Sequence, residues 1–192
     1  SGPSMAPVAG RAYAGDERDV IVCDMGGTSF DVSVVRDGYI KFTRETWLGE
    51  MWTGHMTGLS SVDVKSIGAG GGSIAWIDSG GLLRVGPQSA GAVPGPVCYG
   101  LGGEEPTVTD AAVVLGYLDP DYFLGGRIRL DRERAQRAIA EHTASPLGIG
   151  VERAAYAILT VANEHMVTAI RDITINQGLD PREALIVAGG GA

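Results

Sequence analysis

Two cysteines in 192 residues, no block of basic residues, and no apolar run approaching the roughly 18 residues a membrane-spanning helix needs are the chain's main shortages. Each one closes off a class of protein. Cys23 and Cys98 lie far apart and Cys23 sits inside an apolar run, so a disulfide framework is not expected and the usage fits a reducing compartment. Fifteen Lys and Arg against 23 Asp and Glu give a formal charge of −8, the wrong sign for a nucleic-acid partner; the acidity reads as a solvated surface. No charged leader followed by an apolar core opens the sequence, so no secretory signal is expected and the expected location is the cytoplasm. Membrane and nucleic acid are both excluded as expected partners.

Glycine is what the chain has in excess, 30 of 192 residues, against a usual share of about 7%. There is no collagen-like period and no low-complexity tract, so these glycines serve particular backbone turns, as suits a protein that wraps loops around small anionic ligands. The length, with 44% hydrophobic residues, allows a single soluble domain with a sizeable core.

The stretch that organises the rest is Val20 to Val35, VIVCDMGGTSFDVSVV. An apolar strand ends in Asp24, a Gly26-Gly27-Thr28 turn follows, and an alternating strand through Phe30, Val32 and Val34 leads to the turn pair Asp37-Gly38. Adjacent glycines let backbone N–H groups approach a phosphate with no Cβ in the way, and Thr28 adds a hydroxyl donor. Asp24 is placed to hold Mg²⁺, which keeps most of its waters and takes only one or two carboxylates. The competing reading is a plain β-hairpin with a Gly-Gly turn; the Asp before the glycines and the Thr after them weigh against it.

The remaining segments are read as follows. Ser1 to Ala14 predicts a helix ending near Gly15, and Tyr39 to Thr43 a third strand. Glu45 to Ser60, ETWLGEMWTGHMTGLS, has no periodicity and is expected to be a loop packing two Trp side chains over the core, with contact to substrate or a neighbouring subunit as the alternative; His55 has no second ligand nearby. Val62 to Ile67 is a strand running into Gly68-Ala69-Gly70-Gly71-Gly72-Ser73, a second candidate anion cradle or else a flexible hairpin loop. Ile74 to Ile77 and Leu82 to Val85 pair across the turn Asp78 to Gly81. Gly86 to Pro106 is a long loop broken by Pro94-Gly95-Pro96, and Cys98 within it has no sequence-local base to make it a nucleophile. Thr109 or Asp110 is expected to cap a helix reaching Leu118, and Asp131 to cap one over Arg132 to Glu141, with 145–150 a connector. Val151 to Asn176 carries one apolar stripe and is stopped by Gly178, with Glu164 and His165 on its polar edge. Leu185 to Ala188 is a strand that runs into Gly189-Gly190-Gly191.

D-x-G-G-T-x-x-D-V-S over Asp24 to Ser33 resembles the second phosphate loop of the actin, sugar-kinase and heat-shock-chaperone ATPase superfamily. Val62 to Ile77, Val85 to Gly103 and Glu105 to Leu118 resemble the hydantoinase/5-oxoprolinase family, which also includes ATP-dependent ketone carboxylase subunits. The resemblance implies an α/β fold with an α+β mixed sheet, a ribonuclease-H-like lobe of an actin-like ATPase with a loop-rich β insertion. Its core lobe would span about 1–45 and 130–192, the glycine-rich insertion about 46–129, and a preceding lobe with a first phosphate loop would lie upstream of Ser1. The implied cofactors are ATP and Mg²⁺. Gly26, Gly27, Thr28 and Ser29 would meet the phosphates, Gly70, Gly71, Gly72 and Ser73 would face the active cleft, and Gly189, Gly190 and Gly191 would meet the adenosine. Asp24 would be a catalytic carboxylate and the metal ligand, and Asp31 either a metal-water ligand or a structural hydrogen-bond acceptor. The implied chemistry is phosphorylation of an amide or ketone oxygen, followed by opening of a cyclic amide such as a hydantoin or 5-oxoproline, or by carboxylation of a ketone. A second subunit or domain is the implied partner. A nucleotide-dependent interaction module is the alternative from another class. Without a first phosphate loop, the 192-residue chain alone is expected to bind nucleotide weakly or not at all.

Overall fold

Val20, Ile21 and Val22 on one strand and Val32, Val34 and Val35 on the next are all buried, which is why this apolar pair forms the middle of a sheet and not an exposed hairpin. The computed structural model describes residues 2–48 and 52–191. In chain order the elements are α1 (Gly2–Tyr13), β1 (Val20–Met25), β2 (Phe30–Arg36), β3 (Tyr39–Ile40), β4 (Phe42–Thr43), β5 (Trp47–Leu48), β6 (His55–Met56), β7 (Ser61–Val62), β8 (Val64–Ile67), β9 (Ser73–Ile77), β10 (Leu83–Ser89), α2 (Val108–Val114), α3 (Arg132–Ile139), α4 (Ser145–Leu147), α5 (Val151–Asn176) and β11 (Leu185–Gly190). The described residues fall into two compact units, one from 2–24, 31–48, 52–66 and 168–190, the other from 25–30, 67–167 and 191. Among them no helix is long and apolar enough to cross a membrane. The mixed α/β class expected from the sequence is the class observed.

In the first unit the sheet runs β11-β1-β2-β3, with β8 also paired to β2. Asp37 (φ 51°) and Gly38 (φ 77°) make the two-residue turn between β2 and β3, the left-handed geometry that matches strand twist, and Asp37 N–H donates to Asp19 Oδ1 at 2.8 Å. Helix α1 lies close to β1 because Gly10 has no side chain: a Cβ there would stand 2.3 Å from Val22 Cγ2. The third strand expected over 39–43 is broken at Lys41, whose carbonyl accepts from Asp63 N–H at 2.9 Å. Beyond the break, β4 leaves β2 and pairs antiparallel with β7. The expected loop at 45–60 contains a two-residue antiparallel ladder, Trp47 opposite Met56 and Leu48 opposite His55; residues 49–51 of that segment lie outside the described ones. The rings of Trp47 and Trp52 are 5.6 Å apart, but Trp52 is 76% exposed, so the expected covering of the core by both rings does not hold for Trp52.

In the second unit the β9–β10 hairpin turns on Asp78, whose carboxylate accepts from Gly80 N–H, Leu82 N–H and Arg84 Nε–H at 2.7–3.0 Å. Its core joins Cys98, Ala111, Val113, Ala135, Ile139, Ala154 and Ile158, all buried. The N-cap of α2 is Thr107, not Thr109 or Asp110, because Asp110 stands at the third helical position and closes a reciprocal capping box with Thr107. That helix stops at Val114 and does not reach Leu118; Gly116 sits at φ 79°. Asp131 caps α3 as expected, accepting from Arg134 N–H at 2.9 Å. The segment expected as a connector at 145–150 is helical up to Leu147, reached through a π-helical turn at Ala140–Ala144, and ends where Gly148 takes φ 64°. Helix α5 has the expected bounds, and Gly178, just beyond it, takes φ 65°.

Candidate functional site

The loop between β1 and β2 is closed by its own backbone: Gly26 N–H donates to Ser29 O at 2.9 Å. Its two glycine carbonyls point into the second glycine loop, Gly26 O accepting from Gly71 N–H at 3.1 Å and Gly27 O from Gly72 N–H at 2.7 Å. In a trans peptide the C=O and the following N–H point in opposite directions. Fixing these two carbonyls therefore turns the N–H groups of Gly27 and Thr28 away from the second loop. Gly27 and Thr28 are both exposed, and among the described residues neither N–H group, nor the Thr28 hydroxyl, donates to a protein acceptor. Two consecutive residues thus offer three unengaged donors, an arrangement that suits an anion.

The second loop has a different character. Gly70, Gly71, Gly72 and Ser73 are buried, and every N–H of the four is engaged: Gly70 on Ser73 Oγ at 2.8 Å, Gly71 and Gly72 on the first loop, and Ser73 on Gly70 O at 3.0 Å. Behind it, Gly71 O accepts from both the N–H and the hydroxyl of Thr109, each at 2.8 Å, and Gly72 O accepts from Ala90 N–H at 2.9 Å. Next to Thr109, Asp110 is fully buried. Its carboxylate accepts from Cys98 N–H at 2.7 Å, Thr107 Oγ1 at 2.8 Å, Thr107 N–H at 2.9 Å and Val97 N–H at 3.1 Å. The sequence marked Thr109 and Asp110 only as candidate caps; their link to residues 12 to 38 positions away carries no local sequence signal.

Cys98 is also buried, and burial, with the Asp110 carboxylate beside it, raises its thiol well above the ordinary range. A nucleophile needs the opposite environment. Beside Met25 and Gly71 a pocket of about 240 Å³ opens, its lining apolar apart from the backbone and the side chains of Thr109, Tyr117 and Asn163.

In the first unit, Asp24, the last but one residue of β1, is half-buried. Gly189 of β11 runs beside it, close enough that a Cβ there would stand 4.0 Å from Asp24 Oδ1 and 3.8 Å from Cys23 O. Gly190 takes φ 98° and Gly191, which belongs to the second unit, is exposed. Asp31 is buried on β2 and its carboxylate accepts from the Ser66 hydroxyl. Among the described residues no three His, Cys, Asp or Glu side chains gather as a metal cluster. A lone carboxylate at a strand end is nonetheless a donor set Mg²⁺ accepts when water completes its shell. Asp63 and Lys65 each find a partner in this unit: Asp63 meets Lys41 at 3.3 Å, and Lys65 pairs with Asp172.

The model of the hydantoinase/oxoprolinase family matches residues 1–192. The chain is similar to caprolactamase subunit alpha of Pseudomonas jessenii, 49% identical over 195 residues, with 100% of the chain and 27% of that protein covered. It is similar to the acetophenone carboxylase gamma subunit of Aromatoleum aromaticum, 43% identical over 196 residues, covering 100% of the chain and 26% of that subunit. 5-Oxoprolinase 1 of Arabidopsis thaliana is 36% identical over 199 residues, with 92% of the chain and 15% of that protein covered. Among solved structures, the ATP-dependent caprolactamase from Pseudomonas jessenii superposes with a TM-score of 0.85 at 47% identity, over 99% of this chain and 27% of that one. Nucleotide-free acetone carboxylase gives 0.83 at 33% identity, over 97% and 26%. The actin-like α/β lobe expected from the sequence is thus the fold of this chain, and the chain spans about a quarter of the length of the caprolactamase and carboxylase relatives and 15% of the 5-oxoprolinase.

Proposed function

The chain belongs to the hydantoinase/oxoprolinase family, and from that premise we propose that it is the part of an ATP-dependent enzyme that receives nucleotide phosphate on the Gly26–Thr28 loop. The observation that carries this reading is the pair of exposed N–H groups on Gly27 and Thr28, turned outward by the bonds on the preceding carbonyls. Amide donors fixed before the reaction stabilise charge developing on a transferred phosphoryl group without reorganising. Asp24 would hold Mg²⁺ through water, and the metal, when bound, neutralises phosphate charge. The Ser66 hydroxyl on buried Asp31 favours a structural role for Asp31 over a metal-water role. Gly189, Gly190 and Gly191 are assigned to the nucleotide on the strength of family membership. The glycine-rich segment of about 46–129 is taken as an insertion into a core lobe of about 1–45 and 130–192.

The reaction proposed is hydrolysis of a small cyclic amide: the γ-phosphoryl group passes to the amide oxygen, ADP leaves, and water opens the activated ring with release of phosphate. The identity to the caprolactamase subunit, 49% against 43% for the acetophenone carboxylase subunit, favours the amide; ketone carboxylation is the second reading. The 240 Å³ apolar pocket has the size for a small ring, which supports an enzyme over an interaction module. Relatives named as alpha and gamma subunits support work with further subunits; the cytoplasm is the proposed location, from the cysteine usage. The test is ADP release by the intact protein with its co-purifying subunits. Stimulation by a panel of lactams, hydantoins and 5-oxoproline without bicarbonate is expected. Stimulation by ketones that requires bicarbonate would establish the carboxylase, and a rate unmoved by either class would overturn both.

A further inference from the structure

We infer that the Gly70–Gly72 loop is a positioning element that aims the phosphate-binding amides of the Gly26–Thr28 loop, and not a second anion cradle. A backbone cradle needs unengaged N–H groups, and the four residues have none: those of Gly70 and Ser73 close the loop on itself, and those of Gly71 and Gly72 are spent on Gly26 O and Gly27 O. Those last two bonds fix the planes of two successive peptides, and with them the direction of the Gly27 and Thr28 N–H groups. The glycines are required for this contact and not for a ligand. A Cβ on Gly70 would stand 2.5 Å from Gly26 O, and one on Gly72 would stand 2.9 Å from Gly27 O and 2.9 Å from Ser89 Oγ.

The positioning loop is itself held from behind. Thr109 grips Gly71 O with two donors, and Thr109 stands in the first turn of α2, between the two members of its buried capping box. Asp110, the carboxylate of that box, also fixes the N–H groups of Val97 and Cys98. Hydrogen bonds from Gly26 O to Gly71 N–H and from Gly71 O to Thr109, with the covalent step from Thr109 to Asp110, therefore join the outward amides to a buried carboxylate, and none of the supporting members has to touch nucleotide. Oriented donors of this kind lose effect when their direction is relaxed, even if the loop remains folded.

This inference rests on nucleotide binding at the first loop, so its test reads the two loops separately. Mg·ADP is titrated into the intact protein and into Gly72→Ala, Thr109→Val and Thr109→Ser, with thermal midpoints recorded, and hydrogen exchange is followed by mass spectrometry on peptides containing residues 26–28 and 70–72. Expected in the parent protein is protection gained at 26–28 on adding Mg·ADP, with 70–72 protected in both states. Gly72→Ala is expected to weaken affinity about tenfold or more and Thr109→Val about threefold, while Thr109→Ser, which keeps the hydroxyl, stays within about twofold. Should Gly72→Ala fail to fold, Thr109→Val against Thr109→Ser decides. Protection gained at 70–72 only with Mg·ADP, or unchanged affinity in folded Gly72→Ala and in Thr109→Val, overturns the positioning role and leaves nucleotide binding intact. Binding without protection at 26–28, or no binding at all, overturns the reading on which it rests as well.

Discussion

Asp110 has no exposure to solvent and its two oxygens accept four hydrogen bonds from three residues. Taking the carboxylate away leaves four donors buried without partners, a far larger cost than losing one surface bond. Asp110→Ala is expected to destabilise the protein by about 3–5 kcal/mol, read as a drop in the thermal midpoint, whereas Asp131→Ala, which removes the α3 cap at a half-exposed site, should cost about 1 kcal/mol. The cysteines supply a pH prediction. Burial raises the Cys23 thiol from 9.0 to about 11, so the folded chain keeps this proton where the unfolded chain loses it. The resulting stabilisation is complete below about 9 and is lost as pH rises from about 9 through about 11. Cys23→Ala should flatten that part of the stability profile relative to the parent, measured by urea midpoints between pH 8 and 11; identical slopes would contradict it. At this scale the sequence was legible where chemistry is local. The D-x-G-G-T run identified Gly27 and Thr28, which do present unengaged donors. Thr109 and Asp110 were seen as caps, but what Thr109 grips lies 38 residues away, and no spacing rule reaches that far.

At the scale of elements, α1 and β1 meet through a missing side chain. Gly10 is buried against Val22, and any larger residue must push the helix outward. Gly10→Val is expected to destabilise by about 1–3 kcal/mol, detected as a lower denaturation midpoint, with little change for the same substitution at Gly2, where nothing lies within 4 Å of a Cβ. Elements set by periodicity and a terminal glycine were read correctly, α5 with Gly178 above all, because an apolar stripe and a left-handed stop act locally. The strand break at Lys41 was missed because YIKFT alternates without interruption; the break is imposed by Asp63 N–H, supplied from the strand pair that follows. The helical run to Leu147 was not legible because Gly148 and Gly150 mark 145–150 as a connector, although Ser145-Pro146 is a pair that suits a helix's first turn. The second glycine loop was found, but composition alone does not give its role. Four glycines in five residues fit backbone packed on backbone as well as backbone packed on phosphate, and the hydrogen-bond pattern distinguishes them.

For the molecule as a whole, the claim that matters is that phosphate meets the outward face of the Gly26–Thr28 loop. Gly27 offers a direct probe, since a Cβ built there meets nothing within 4 Å and the residue is exposed. Gly27→Asp therefore adds a carboxylate where the phosphate charge should lie without disturbing the contact between the two glycine loops. The decisive measurement is calorimetric titration of Mg·ATP into the intact protein and into its Gly27→Asp variant at matched thermal stability. The account predicts binding by the parent and a loss of at least about tenfold in the variant, since like charges at close range cost more than about 1.4 kcal/mol. Equal affinity in the two proteins would contradict it and move the nucleotide elsewhere.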